Sequence, residues 1–184
     1  MKELSLNILD IAENSVKAKA KNIRILLEES EETLSLTITD DGCGMSEEMV
    51  KNVTDPFCTT RTTRKVGLGI PFLKLAAEQT GGNFGIESTS EQQNPDNHGT
   101  CTHALFYKNS IDFTPLGDVV SSVTTLIQGA PDIDWYFLHV FGEKRVELDT
   151  KAIREILGGD VPLGSYEVIK WIEDSLKEEY SQFD

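Results

Sequence analysis

A short basic loop that runs into a glycine-rich helix start is the feature that most restricts how this 184-residue chain can fold. Residues 55–82 read DPFCTTRTTRKVGLGIPFLKLAAEQTGG, with a Gly-x-Gly turn at Gly67–Gly69 and a Gly-Gly stop at the end. Such a turn leaves backbone N–H groups unpaired at a helix start, where the helix dipole favours an anion. Arg61, Arg64 and Lys65 add charge just before it. The segment predicts a polyphosphate-binding turn, with an ordinary turn as the alternative.

The composition limits the classes of partner. The formal net charge is −14, so neither free nucleic acid nor an anionic membrane is expected to bind. We find no signal-peptide pattern and no apolar run of transmembrane length. The three cysteines, Cys43, Cys58 and Cys101, form no Cys-x-x-Cys and predict neither a zinc site nor a disulfide framework. We therefore expect a cytoplasmic protein.

Apolar periodicity predicts a helix layer on a mixed, largely antiparallel sheet. Helices are predicted at 2–20, 46–50, 70–79, 119–128, 151–157 and 165–180. Strands are predicted at 22–28, 33–39, 83–89, 99–107, 135–141 and 145–148. Thr150 and Ser165 are the expected N-caps of the last two helices. The fold class is therefore α+β, a two-layer α/β sandwich with a small α/β C-terminal extension, divided into 1–108 and 109–184.

Two polar motifs precede the glycine-rich turn. Asn14 lies on the first predicted helix, and Asp40-Asp41-Gly42-Cys43-Gly44-Met45 follows a strand. Taken alone, an Asn on a helix is usually a core residue whose amide is hydrogen-bonded, and Asp-Asp-Gly is usually a hairpin turn. Together with the Thr/Arg loop, the Gly-x-Gly turn and Gly99-Thr100, these motifs form an ordered set along the chain. This ordered set resembles that of the GHKL ATPases, the superfamily of gyrase, Hsp90, histidine kinases and MutL. The resemblance covers residues 1–107 and implies a Bergerat-type fold that binds ATP and Mg²⁺.

The resemblance implies how the D-x-G-x-G loop recognises adenine. Asp40 would accept a hydrogen bond from the exocyclic amine of the base. Gly42 and Gly44 would let the backbone pass close to the base, and Met45 completes the cofactor-binding loop. Asp41 stands at the variable position and is expected to be solvated.

The first helix carries the groups that the resemblance assigns to metal, phosphate and water. Asn14 matches the family's Mg²⁺-binding Asn, and an amide oxygen suits a cation that prefers oxygen ligands. Lys17 matches a lysine that contacts phosphate in histidine kinases, with a solvated helix charge as the alternative. Asp10 stands where other members hold a Glu that activates water or, in histidine kinases, often an Asn. The shorter Asp leaves two roles open, a catalytic base and a group that acts on the metal site through water.

The loop before the glycine-rich helix would form a short nucleotide lid over about residues 59–66. Phe57 would anchor its hinge, and the turn would supply backbone donors to phosphate. The predicted cofactor contacts here are Phe57, Thr59, Thr60, Arg61, Lys65, Gly67, Leu68 and Gly69. Thr100, in the last family motif, would support the strand beside Asp40.

The histidines are not expected to carry chemistry. His98 and His103 are interpreted as incidental strand residues, and His139 lies in a strand with no acidic residue after it, which makes it a poor phosphoacceptor. We see no dimerising helical hairpin with a phosphoacceptor His before the Asn14 helix.

The expected function is that of a regulatory protein that binds ATP and Mg²⁺. One form of this function is phosphorylation of another protein in trans, as anti-sigma-factor kinases of the superfamily do. The alternatives are a non-catalytic, ATP-dependent protein-interaction switch and a slow ATPase with Asp10 as base. The protein partner or phosphoacceptor and the oligomeric state stay open. The aromatic residues in the tail are candidates for a partner surface, with core packing as the alternative: Trp135, Tyr136, Phe137 and Phe141.

Overall fold

The computed structural model describes residues 3–55 and 68–183. The strands are β1 (Asn22–Glu29), β2 (Thr33–Asp40), β3 (Asn83–Thr89), β4 (Gly99–Tyr107), β5 (Asp134–Phe141) and β6 (Lys144–Asp149). The helices are α1 (Leu4–Lys17), α2 (Glu47–Val53), α3 (Gly69–Gln79), α4 (Val119–Gly129), α5 (Thr150–Leu157) and α6 (Tyr166–Tyr180). The described strands form one sheet in the order β3-β4-β2-β1-β5-β6.

One face of this sheet forms the core. Every pairing is antiparallel except that of β1 with β5, which is parallel. Ile25 on β1 lies opposite Ile38 on β2 and Phe137 on β5, and all three side chains are buried. Five helices add buried apolar residues to the same cluster, whereas α2 buries none. The α+β fold with a helix layer on a mixed sheet is therefore confirmed, as strict alternation in the strands predicts.

The C-terminal residues continue the same sheet. β5 and β6 extend it beyond β1, and α4 packs against α1. The start of α1 is also tied to the connector, because the N–H groups of Leu4 and Ser5 donate to the carbonyls of Pro115 and Leu116 at 2.9 and 2.8 Å. Among the described helices, none is long and apolar enough to cross a membrane.

A partly buried polar network joins the end of β1 to β5, to α6 and to the residue that follows β4. Oε1 of Glu29 accepts a hydrogen bond from Nζ of Lys108 at 2.6 Å, and Oε2 of Glu29 lies 2.9 Å from Nε2 of His139. His139 is 2% exposed, and its Nδ1 lies 2.8 Å from the hydroxyl of Tyr180 on α6. Satisfied networks of this kind fix one arrangement of the elements that contribute to them.

One of the two cap predictions differs from the structure. Asp149 caps α5 by accepting from the N–H groups of Lys151 and Ala152. The hydroxyl of Thr150 is fully buried and instead accepts the N–H of Trp135 at 2.8 Å, so a contact with the neighbouring strand replaces the cap. Ser165 is the N-cap residue of α6, as predicted, although its side chain makes no cap bond.

Strand alternation separates Trp135 and Phe137 from Tyr136, whereas Phe141 shares their face but lies at the end of β5. Trp135 and Phe137 are buried in the core, while Tyr136 and Phe141 are half-buried. Tyr136 points to the other face, where its ring lies against the guanidinium of Arg24 at 5.0 Å. Core packing therefore accounts for the first two residues.

Candidate functional site

A cavity of about 160 Å³ opens beside α1, between the loop that follows β2 and the strands β3 and β4. Six residues predicted from the sequence line it: Asn14, Lys17, Asp40, Gly44, Met45 and Thr100. Its walls also include apolar residues that the sequence analysis did not single out: Ile11, Met49, Val53, Ile70 and Ile86. Apolar walls around a few polar groups are typical of small-molecule sites and suit a planar base.

The Asp40 carboxylate is held in one orientation at the end of β2. Its Oδ1 accepts the N–H of Gly42 at 2.9 Å, and its Oδ2 accepts the hydroxyl of Ser15 at 2.5 Å. An ionised carboxylate oxygen accepts more than one bond, so lone pairs remain for a ligand. Ser15 is 3% exposed and was missed as a site residue, although helical spacing places it on the buried face.

The glycines of the loop permit close packing against other parts of the protein. A Cβ at Gly42 would lie 2.8 Å from Cβ of Ala18, the C-cap residue of α1. Gly44 has φ of +64°, and a Cβ there would lie 1.9 Å from the carbonyl oxygen of Thr89. Only glycine adopts this backbone at so close an approach without strain. The loop is therefore clamped between α1 and the β3–β4 hairpin.

The hairpin contributes further contacts to the same loop. Met45 donates its N–H to the hydroxyl of Ser88 at 2.8 Å, and that hydroxyl lies 2.8 Å from the hydroxyl of Thr100. Thr100 itself pairs with Asp40 in the β2–β4 register. These bonds connect the loop that follows β2 to β3 and β4.

The amide of Asn14 lines the cavity and is half-buried. Lys17 is exposed, and its Nζ lies 3.8 Å from the carboxylate of Glu13, a loose surface pair. The described ranges contain no group of three or more His, Cys, Asp or Glu side chains that could hold a metal ion by themselves. A metal here would take an amide oxygen from the protein and other oxygens from its ligand and from water, which fits the preferences of Mg²⁺.

Asp10 lies beside the start of α3. A Cβ at Gly69 would approach Cβ of Asp10 to 2.8 Å, so glycine allows this close contact between the helices. Partial burial and the nearby Glu13 carboxylate raise the pKa of Asp10, and Lys17 opposes them. The side chain is nonetheless accessible to solvent. Leu68 precedes α3 as an exposed N-cap residue without a side-chain cap bond.

The predicted lid contacts fall outside the described residues. These are Phe57, Thr59, Thr60, Arg61, Lys65 and Gly67. The lid therefore stays a prediction.

Two residues of the motif region have contacts that the sequence analysis did not foresee. Asp41 is not simply solvated, because its carboxylate accepts the N–H groups of Lys21 and Asn22 and the side-chain amide of Asn22, all within 2.9 Å. Partial burial alone would raise the pKa of Asp41, but these bonds outweigh it and hold the pKa below its usual value. His98 lies just before β4, and its Nδ1 lies 2.5 Å from the carbonyl oxygen of Gly42.

Comparisons with solved structures agree with this fold. The N-terminal domain of a DNA repair protein has a TM-score of 0.56 at 16% identity, covering 86% of this chain and 58% of that one. The Aquifex aeolicus MutL ATPase domain in complex with ADP has a TM-score of 0.55 at 13% identity, covering 85% of this chain and 69% of that one. This chain thus spans little more than half of the first structure. No curated protein sequence matches it.

The family model described as histidine kinase-, DNA gyrase B- and HSP90-like ATPase matches residues 2–115, which is more than half of the chain. The match includes α1, the loop after β2 and the β3–β4 hairpin, the elements that surround the cavity. The resemblance to the GHKL ATPases is thereby confirmed, and the chain belongs to the histidine kinase-, DNA gyrase B- and HSP90-like ATPase family.

Proposed function

We propose that this chain binds ATP together with Mg²⁺ in the cavity beside α1 and acts as a regulatory protein on a protein partner. The observation that carries the proposal is the Asp40 carboxylate, oriented by Ser15 and Gly42 at the cavity. Adenine presents an amine donor, and a fixed carboxylate is a strong acceptor for it. The similar MutL domain was solved with ADP, which supports an adenine nucleotide.

Titration calorimetry with the four nucleoside triphosphates tests this assignment. We expect ATP to bind more tightly than GTP, because guanine presents a carbonyl where adenine presents its amine, and two acceptors would then face each other. Equal affinities for ATP and GTP would contradict the adenine assignment.

Magnesium binding should depend on Asn14. In the variant Asn14→Ala, ATP affinity should fall roughly tenfold in Mg²⁺, the loss of about one metal ligand, but change little in EDTA. Calorimetry in the two buffers measures the difference. Asn109→Ala, an exposed turn residue, is the matched control and should behave as wild type. Equal losses in both buffers would mean that Asn14 has a structural role only.

The contacts of the three histidines favour one form of regulation, the phosphorylation of another protein. Each of the three is engaged within the fold: His98 with Gly42, His103 with Thr37, and His139 with Glu29 and Tyr180. Burial also lowers the pKa of His139, although Glu29 opposes this. In this proposal the acceptor of a transferred phosphoryl group is therefore a side chain other than these three, on a second protein. Incubation with γ-labelled ATP, with and without co-purified proteins, separates transfer in trans from a switch that only binds ATP.

Slow hydrolysis with Asp10 as base is the second candidate, favoured by its raised pKa and its place beside α3. Asp10→Asn should then reduce phosphate release on the order of 100-fold, as for loss of a general base, while ATP still binds. Release should also fall as the pH drops through the raised pKa of Asp10, because a base must be ionised. Asp112→Asn, an exposed loop substitution, is the control. Wild-type release from Asp10→Ala would exclude Asp10 from the chemistry.

A further inference from the structure

We propose that His98 is a positioning residue that strengthens the preference for adenine by holding Gly42, the residue whose N–H orients Asp40. The inference rests on the proposed ATP site and names a determinant of its specificity. Nδ1 of His98 lies 2.5 Å from the carbonyl oxygen of Gly42, and the N–H of Gly42 donates to Oδ1 of Asp40 at 2.9 Å. A carbonyl only accepts, so His98 must carry its proton on Nδ1.

The position of His98 is imposed by its neighbour. Gly99 has φ of +139°, and a Cβ there would lie 2.0 Å from the carbonyl oxygen of Asp40. Glycine therefore allows the start of β4 to approach the end of β2 closely, and this approach brings the imidazole over the Gly42 carbonyl. His98 is half-buried, so the bond is partly shielded from water.

Gly42 connects His98 to Asp40 through two consecutive peptide groups, because its carbonyl belongs to the peptide with Cys43 and its N–H to the peptide with Asp41. Its N–H is one of two protein donors recorded on the Asp40 carboxylate within the described ranges, and the other is the Ser15 hydroxyl. The two peptide groups meet at the Cα of Gly42, and glycine permits wide rotation there, so release of the carbonyl can turn the N–H away from Asp40 and free the carboxylate. The rest of the loop is secured independently: the N–H of Cys43 donates to the carbonyl of Ala18 at 2.9 Å, the N–H of Glu91 donates to the carbonyl of Cys43 at 2.8 Å, and Met45 donates to Ser88. Loss of His98 should thus affect the orientation of Asp40 more than the path of the loop.

The experiment compares affinities for ATP and ITP, which differ at the position where adenine carries its amine. In wild type we expect ATP to bind more tightly. In His98→Ala the affinity for ATP should fall about tenfold, as for one lost hydrogen bond, while ITP binding changes little, so the ratio falls by the same factor. His98→Asn should restore the ratio, because the Asn amide N–H occupies nearly the place of Nδ1. His98→Gln, whose amide corresponds to the other ring nitrogen, should not.

Nitrogen-15 NMR of the free protein supplies a second measurement that needs no nucleotide. The neutral ring of His98 should be protonated at Nδ1, and the Gly42 amide should exchange more slowly in wild type and His98→Asn than in His98→Ala. A ring protonated only at Nε2, or an ATP/ITP ratio unchanged in His98→Ala, would overturn the inference. Failure of the wild type to bind ATP would instead overturn the proposed function, and the NMR result would still decide whether His98 positions Gly42.

Discussion

Replacement of Asp40 by Asn should lower the affinity for ATP roughly 100-fold while the protein stays folded. A hydrogen bond to a charged group contributes about 1.5–3 kcal/mol, and each 1.4 kcal/mol corresponds to about a factor of ten in affinity. The Asn side chain still accepts from Gly42 and has an NH₂ group that can donate to the Ser15 oxygen, so the loop keeps its partners. The same NH₂ group is a donor where the adenine amine needs an acceptor. Calorimetry measures the affinity, and thermal unfolding checks that the variant is folded.

Asp41→Asn is the matched control for this experiment, because the two carboxylates are neighbours with different partners. Asp41 contacts Lys21 and Asn22 rather than the cavity, so ATP affinity should be unchanged. The free energy of unfolding should fall by about 1 kcal/mol, since the loop loses charge-assisted hydrogen bonds. The folded-state pKa of Asp41 is lowered, so its contribution is present above the unfolded pKa and is lost as the pH falls through the folded value. An Asp40→Asn variant with wild-type affinity would rule out the adenine contact.

Ending the chain after residue 115, where the family match stops, should abolish cooperative folding. The cut removes β5 from one edge of β1 and α4 from the surface of α1. It exposes core residues that now pack against Val123, Ile127, Trp135 and Phe137. Burial of each such side chain contributes about 1.5–3 kcal/mol, so four of them amount to on the order of 10 kcal/mol, comparable to the whole stability of a domain. Circular dichroism during heating should show a broad transition, if any.

A milder variant keeps this prediction testable if the short chain aggregates. Phe137→Ala in the full chain removes a fully buried side chain opposite Ile25 and should cost about 3–5 kcal/mol. Tyr136→Ala, the neighbouring residue on the other face, should cost much less. A shortened chain that unfolds cooperatively near the wild-type temperature would instead support 1–108 as an independently folding ATP-binding domain.

The sequence was most informative where local rules decide the outcome. Strict alternation predicts a strand over 33–39, and β2 extends from Thr33 to Asp40. Helical spacing predicts α3 and α4 to within one or two residues at each end. Asp40 and Asn14 were assigned by their place in an ordered set of motifs, and the structure brings both to one cavity.

Contacts between distant segments were not predictable in the same way. Ser15 and Asp40 are 25 residues apart, and His98 and Gly42 are 56 apart. No periodic pattern marks such a pair, because the hydrogen bond exists only after the sheet has formed. Thr150 illustrates the same limit, since it has the residue type of a cap, but a neighbouring strand offers its hydroxyl a better-placed donor.

The parallel pairing of β1 with β5 has a consequence for the order of events during synthesis. Ile25 finds its antiparallel neighbour on β2 only 13 residues later, but its parallel neighbour Phe137 follows 112 residues later. A ribosome that adds 5–20 residues per second needs roughly 6–22 s for that interval. During this time one edge of β1 has no strand to pair with and is open to other chains. The residues that line the cavity beside α1 are all synthesised before β5. Protease resistance of the nascent chain should nevertheless appear only after β5 has left the ribosome.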